Sequence, residues 1–291
     1  MEPVRRNLPL ADGTISWLEW EAEERAPLLI WSHANGFNAS TYKSLLQPLA
    51  GKFRIVAWDM RGHGLTNLPL DKSLLTGWRV FRDDLLRFID ALDVKPKVIA
   101  GHSFGATTGL LAAAVRPYVT DSLVLAEPVM PPGGLAFKAR IARLLGRAEK
   151  VIPLVAMTLR RRSQFRSRED AVKGFTGRGA FKTWPTETIA DYVETGLVPD
   201  GDGFRLSCPP DWEAAAFGVY PFRLAHLGNA VRVPVTILRG TVNSTTNDSV
   251  LNGFVRRHRN TRVVQVGGAS HFLPMEHSEE VRTELLRAAE M

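Results

Sequence analysis

Short, continuously apolar runs recur along the chain at 28–32, 54–58, 98–100, 122–126, 235–238 and 262–266. Runs of this length without polar alternation predict strands covered on both faces, as in a parallel sheet. Ahead of them, 8–10 and 14–20 flank Asp12-Gly13 and predict an antiparallel hairpin, making the run at 122–126 the sixth strand. Amphipathic stretches lie between the runs. Across 74–92, Val80, Phe81, Leu85, Phe88, Ile89 and Leu92 fall on one helical face. Strands alternating with helices give an α/β fold, a mainly parallel central sheet flanked by helices. Such sheets carry ligands at the C-terminal ends of their strands.

The rhythm fails between Pro131 and Asn229, where helix-like pieces are cut by Pro153, Pro185, Pro199, Pro209, Pro210 and Pro221. The chain therefore divides into a core, 1–130 with 230–291, and a mostly helical insertion, 131–229, after the sixth strand.

At 100–105 the sequence reads Ala-Gly-His-Ser-Phe-Gly, between an apolar strand and a helical stretch of small residues. Gly-x-Ser-x-Gly in that context is a nucleophile elbow: a cramped turn that lifts the Ser103 hydroxyl out of the backbone, with Gly101 and Gly105 sparing the turn a Cβ collision. A serine hydroxyl needs a base that titrates near neutral pH, and imidazole is that base. Of seven histidines, His271 stands in a loop after the last strand and is the candidate. His258 lies in a basic helical run and reads as a surface residue, and the His102 side chain is expected to point away from Ser103.

Two further segments strengthen the pattern: Trp-Ser-His-Ala-Asn-Gly-Phe at 31–37 and Asp-Met-Arg-Gly-His-Gly at 59–64. With the elbow and His271 they make the chain resemble the α/β-hydrolase superfamily over nearly its whole length. The resemblance implies the α/β-hydrolase fold, and it makes the insertion a cap, or lid, over the active site. It also implies an oxyanion hole formed by the backbone N–H groups of Phe104 and Asn35, two fixed donors for the charge of a tetrahedral intermediate. Ala34 departs from the glycine common at its position, which narrows the backbone freedom of that loop.

The carboxylate that orients the histidine is less direct. In this family it usually follows the strand corresponding to 235–238, and counting from Gly240 reaches Asn243, which carries no negative charge. Asp248 is the next carboxylate, though it reads as a helix N-cap. Glu127, at the end of the sixth strand, is the preferred acid: a glutamate closing an apolar strand is expensive to bury unpaired. Candidates for the substrate-binding wall are His33, Met130, Trp184 and Tyr192, with Phe175, Phe181 and Met157 nearby, though residues of these types are more often simply packing.

The chain has 291 residues, 45% of them hydrophobic, enough for a sizeable core. It lacks an apolar run able to span a bilayer, so stable membrane insertion is not expected. The opening residues lack an apolar secretory region, and the single cysteine, Cys208, excludes an internal disulfide framework. A cytoplasmic location follows as the default expectation. The net charge is +7, and the insertion holds 15 basic against 10 acidic residues, densest at 159–168. That cluster reads either as a solvated helix end or as an attraction for anionic substrates or membrane surfaces. Nucleic acid is not indicated, since no recognition helix or aromatic platform accompanies the arginines. No metal and no organic cofactor is implied.

The expected activity is that of a serine hydrolase, of carboxylesterase type, acting on a small-molecule carboxylic ester or related acyl compound. Carbon–carbon bond hydrolysis, lactone hydrolysis and perhydrolysis on the same triad stay open, as does a non-catalytic ligand-binding homologue, which Asn243 invites. A homodimer also stays open.

Overall fold

A computed structural model describes residues 2–291. Among them are β1 (Val4–Leu10), β2 (Gly13–Trp20), β3 (Leu28–Ser32), β4 (Arg54–Trp58), β5 (Val98–His102), β6 (Ser122–Ala126), β7 (Gln164–Phe165), β8 (Leu197–Asp200), β9 (Gly203–Leu206), β10 (Val235–Gly240) and β11 (Thr261–Val266). Eight of these form one sheet in the order β1-β2-β4-β3-β5-β6-β10-β11. The β1–β2 and β2–β4 pairings are antiparallel, and every later pairing is parallel. The apolar runs become strands because both faces are covered: all residues of β3, β5 and β6 are buried.

Side chains alternate between the faces with the two-residue period of a strand. Ile30, Val56, Trp58 and Ile99 join one core with Leu85, Phe88 and Leu110, from the helices Arg79–Leu92 and Phe104–Val115. Leu29, Trp31, Ile55 and Val98 join the other with Leu45, Val281 and Leu285. The helix expected across 74–92 begins only at Arg79, because Gly77 and Trp78 both take positive φ, +102° and +67°. His258, expected on the surface, is buried, its Nδ1 2.8 Å from Thr261 Oγ1.

The insertion carries helices at Gly133–Leu144, Pro153–Leu159, Arg168–Phe175, Thr186–Gly196 and Pro210–Phe217. It also carries a second sheet, β7-β9-β8, which the proline-broken reading did not foresee. The β8–β9 hairpin turns on Gly201-Asp202, with Gly201 at φ +56°, a legible turn signal that Pro199 masked. The insertion is stitched to the loop after β3: Asn35 Nδ2 donates to Glu213 O (3.0 Å), Asn38 Nδ2 to Tyr192 O (2.9 Å) and Ser44 Oγ to Asp191 (2.6 Å). These bonds hold it against the C-terminal edge of the sheet, where β5 and β6 end.

Candidate active site

Ser103 closes β5 and opens the helix Phe104–Val115 at φ +55°, ψ −114°, a conformation that costs an ordinary residue ~1–3 kcal/mol. The two glycines of the motif make it attainable. A Cβ at Gly105 would stand 2.3 Å from Ser32 O and 2.5 Å from His33 O, and one at Gly101 would stand 2.7 Å from Ser32 O. The nucleophile helix thus seats directly on the backbone leaving β3. Ser103 is only 6% exposed.

The loop after β11 brings His271 to this serine, with Nε2 2.9 Å from Ser103 Oγ. The other ring nitrogen, Nδ1, faces Glu127 Oε2 at 3.3 Å and Thr245 Oγ1 at 3.0 Å. Glu127 follows β6 at φ +49° and is fully buried. Its carboxylate accepts from Gly240 N (2.6 Å), Thr245 N (3.0 Å) and Ser244 Oγ (2.8 and 3.0 Å). Burial alone would raise the Glu127 carboxyl. The His271 imidazole and these donors outweigh it and hold the group below the usual carboxylate range.

Residues 240–245 follow β10, the seventh strand of the main sheet, so the loop that lacks an acid supplies the hydrogen-bond cradle for one arriving from β6. Asn243 itself is exposed. The alternative acid, Asp248, has a side chain that is 76% exposed and pairs with Arg239. Nor is Asp248 the cap, because Asn247 Oδ1 accepts from Ser249 N and Val250 N at 3.1 and 3.3 Å.

Among the described residues, neither Asn35 N–H nor Phe104 N–H donates to another protein group. Phe104 opens its helix, where first-turn donors are orphaned. The Asn35 loop is held through its own side chain and through Gly36, at φ +79°, where a Cβ would meet Glu213 Oε1 at 2.3 Å. Glu213 pairs with Arg161 (2.6 Å), which also donates to Tyr192 Oη (3.1 Å). Burial raises the Glu213 carboxyl, and Arg161 opposes the rise.

All four residues expected at the wall are buried. His33 is wholly buried; its Nδ1 donates to Ala34 O (2.7 Å), its Nε2 accepts from Met60 N (2.9 Å), and burial lowers its pKa to about 4. Met130 is turned into the core by its bridge to Thr246. Tyr192 is 1% exposed, packed on Phe37, Phe175 and Phe181. Trp184, 6% exposed, meets Phe37 and Phe272 edge-on, and Phe272 lies against the His271 ring. Its Nε1 is buried without an acceptor among the described residues.

Sequence reasoning missed Thr245, although the hydroxyl-rich stretch Ser244-Thr245-Thr246 beside a vacant acid position was a signal. It also missed His102 and Tyr42. The Ala34 N–H donates to Tyr42 Oη (3.0 Å), Tyr42 Oη meets His102 Nδ1 (2.8 Å), and His102 Nε2 meets His271 O (2.7 Å). The His271 carbonyl only accepts, so His102 carries its proton on Nε2 and takes the tyrosine proton on Nδ1. Burial, with His271 adjacent, keeps His102 neutral by lowering its pKa well below the ordinary value. A continuous chain of hydrogen bonds thus ties the loop after β3 to the loop of the base.

The sheet order, the elbow and the residues gathered at its edge define a hydrolase architecture. A sequence model of the Alpha/beta hydrolase family matches residues 28–284, and the chain belongs to that family. It is 26% identical over 253 residues to the 2-(acetamidomethylene)succinate hydrolase of Mesorhizobium japonicum, covering 85% of this chain and 82% of that protein. The crystal structure of E-2-(acetamidomethylene)succinate hydrolase superposes with a TM-score of 0.78 at 22% identity, over 99% of this chain and all of the other. The thioesterase domain from the curacin biosynthetic pathway gives 0.77 at 19% identity, over the full length of both. At these identities the structural likeness establishes the fold.

Proposed function

We propose that this α/β-hydrolase is a serine acyl hydrolase that cleaves a small carboxylic ester or related acyl compound through an acyl-enzyme on Ser103. The observation that carries the reading is the 2.9 Å contact of Ser103 Oγ with His271 Nε2, while Glu127 faces the opposite ring nitrogen. As Oγ attacks the acyl carbon, Nε2 takes its proton and the imidazolium forms between the serine and a buried carboxylate. The carbonyl oxygen gains the charge, and the N–H groups of Phe104 and Asn35 are the donors assigned to it. Collapse breaks the bond to the leaving group, which departs with the proton from Nε2. Water then repeats the sequence at the acyl-enzyme, releasing the acid and restoring Ser103.

Trp184, packed on Phe272 beside the His271 ring, is the substrate-wall residue in this reading. N-acyl compounds are tested alongside esters, since the relative matched over most of the chain is named for a substrate with an acetamido group. The test is turnover of a panel of activated esters, lactones, thioesters and N-acyl compounds by wild type and Ser103→Ala. Loss of ~10⁴ to 10⁶ in kcat is expected on every accepted substrate. Retention of most activity by a folded, uncontaminated Ser103→Ala protein would refute serine catalysis.

A further inference from the structure

The helix Gly133–Leu144 is built inside out. Its buried face consists of Ala136, Ala139 and Ala142, while Leu135, Phe137, Ile141 and Leu144 are exposed. Its C-cap Leu145, 62% exposed, and Met157, 64% exposed on the helix Pro153–Leu159, continue the surface. Phe137, Ile141, Leu145 and Val151 together line one shallow hollow of about 310 Å³. Bulky apolar side chains turned to water over such a stretch mark an interaction surface.

Charge says what kind. Residues 131–162 hold eight lysines and arginines against one carboxylate, Glu149; Arg161 and Arg162 are paired with Glu213 and Asp170, which leaves six cations against one carboxylate for the face. The neutral hydrogen-bonding side chains of the segment amount to Thr158, which is buried. The exposed face therefore offers hydrocarbon and cations and nothing directional. A protein partner is normally held by about one hydrogen bond per 100–200 Å² and by Trp or Tyr anchors, and this segment has neither aromatic. A second copy would bring the same excess of cations against these. A bilayer surface with anionic headgroups needs just these two properties: apolar side chains to enter the acyl boundary and cations to meet phosphate.

We propose that the 131–162 face of the insertion docks this protein peripherally on anionic lipid surfaces. The experiment is sedimentation of the full chain with vesicles of phosphatidylcholine, alone or mixed with phosphatidylglycerol. Binding is expected to the mixed vesicles, not to the neutral ones, and to weaken at about 1 M salt, where the Debye length is ~3 Å. Leu144→Glu with Leu145→Glu should reduce partitioning at least tenfold. Lys138→Gln, Arg147→Gln and Lys150→Gln together should reduce it about a hundredfold, from roughly a factor of five per surface cation. These sites are exposed or rim positions, so circular dichroism and the melting temperature should stay unchanged. The proposal is overturned by absence of binding to the anionic vesicles at low salt, by equal binding to neutral vesicles, or by full binding of the Leu144/Leu145 variant. A dimer in sedimentation velocity that this variant disperses would assign the face to a second copy and overturn it as well.

Discussion

Glu127→Gln changes one atom in a site where every neighbour donates. Oε1 accepts from Gly240 N at 2.6 Å, and Oε2 accepts from Thr245 N at 3.0 Å and faces His271 Nδ1. An amide NH₂ placed at Oε1 would press N–H against the backbone of β10 at the shorter contact, so the NH₂ settles at Oε2. There it donates to His271 Nδ1, which must give up its proton. The proton moves to Nε2, and the ring can no longer accept from Ser103. The loss expected is that of a wrong tautomer combined with an unstabilised imidazolium, ~10³ to 10⁴ in kcat, or about 4–5.5 kcal/mol of transition-state stabilisation. The assay is steady-state hydrolysis of an activated ester, with folding checked by circular dichroism. A second readout follows from the depressed Glu127 pKa. A carboxyl held below its unfolded value contributes stability that is fully present above that value and is lost as pH falls through the folded one. Wild type should therefore lose stability more steeply in acid than Glu127→Gln, as measured by denaturant unfolding. A Glu127→Gln enzyme within threefold of wild-type kcat would refute the assignment of the acid.

Trp184→Phe should raise KM several-fold with kcat little changed, because it shrinks the indole to a phenyl ring at the wall assigned to substrate; unchanged KM across the accepted substrates would remove Trp184 from the site. Tyr42→Phe breaks the chain from Ala34 to His271 and leaves His102 Nδ1 without its donor, an unsatisfied buried group costing ~1–3 kcal/mol. Its kcat should fall with KM nearly constant, and denaturant unfolding together with kinetics measures both effects. Arg161→Glu sets a carboxylate against the buried Glu213 beneath Gly36 and should destabilise by ~3–5 kcal/mol, whereas Arg160→Glu, on an exposed side chain, should stay within about 0.5 kcal/mol; thermal melts compare them directly.

The central sheet was legible because strands buried on both faces must be continuously apolar, and β3, β5 and β6 are. The elbow was legible because its glycines answer a steric need, visible in the 2.3 Å approach at Gly105. Ser103 and Glu127, singled out far apart in sequence, each lie within hydrogen-bonding reach of His271. The expected wall was less legible, since sequence does not say which way a loop side chain turns. His33 and Met130 face inward, and Tyr192 holds the insertion together. Asp248 was misread by one residue because Asn and Asp cap equally well, and Asn247 took the position. The arginines at 160–162 looked alike in sequence, yet only tertiary packing separates Arg161, bonded to Glu213 and Tyr192, from its exposed neighbours. The hydrogen-bond chain through His102 joins loops whose contact exists only in the folded sheet edge.

The account rests on an activated hydroxyl at Ser103, and reaction with a fluorophosphonate probe tests that most directly. Intact-mass and peptide analysis should find one phosphonyl adduct, on Ser103, with labelling slowed at least a hundredfold in His271→Ala. No adduct on folded wild-type protein, or an adduct on another residue that persists in Ser103→Ala, would contradict it.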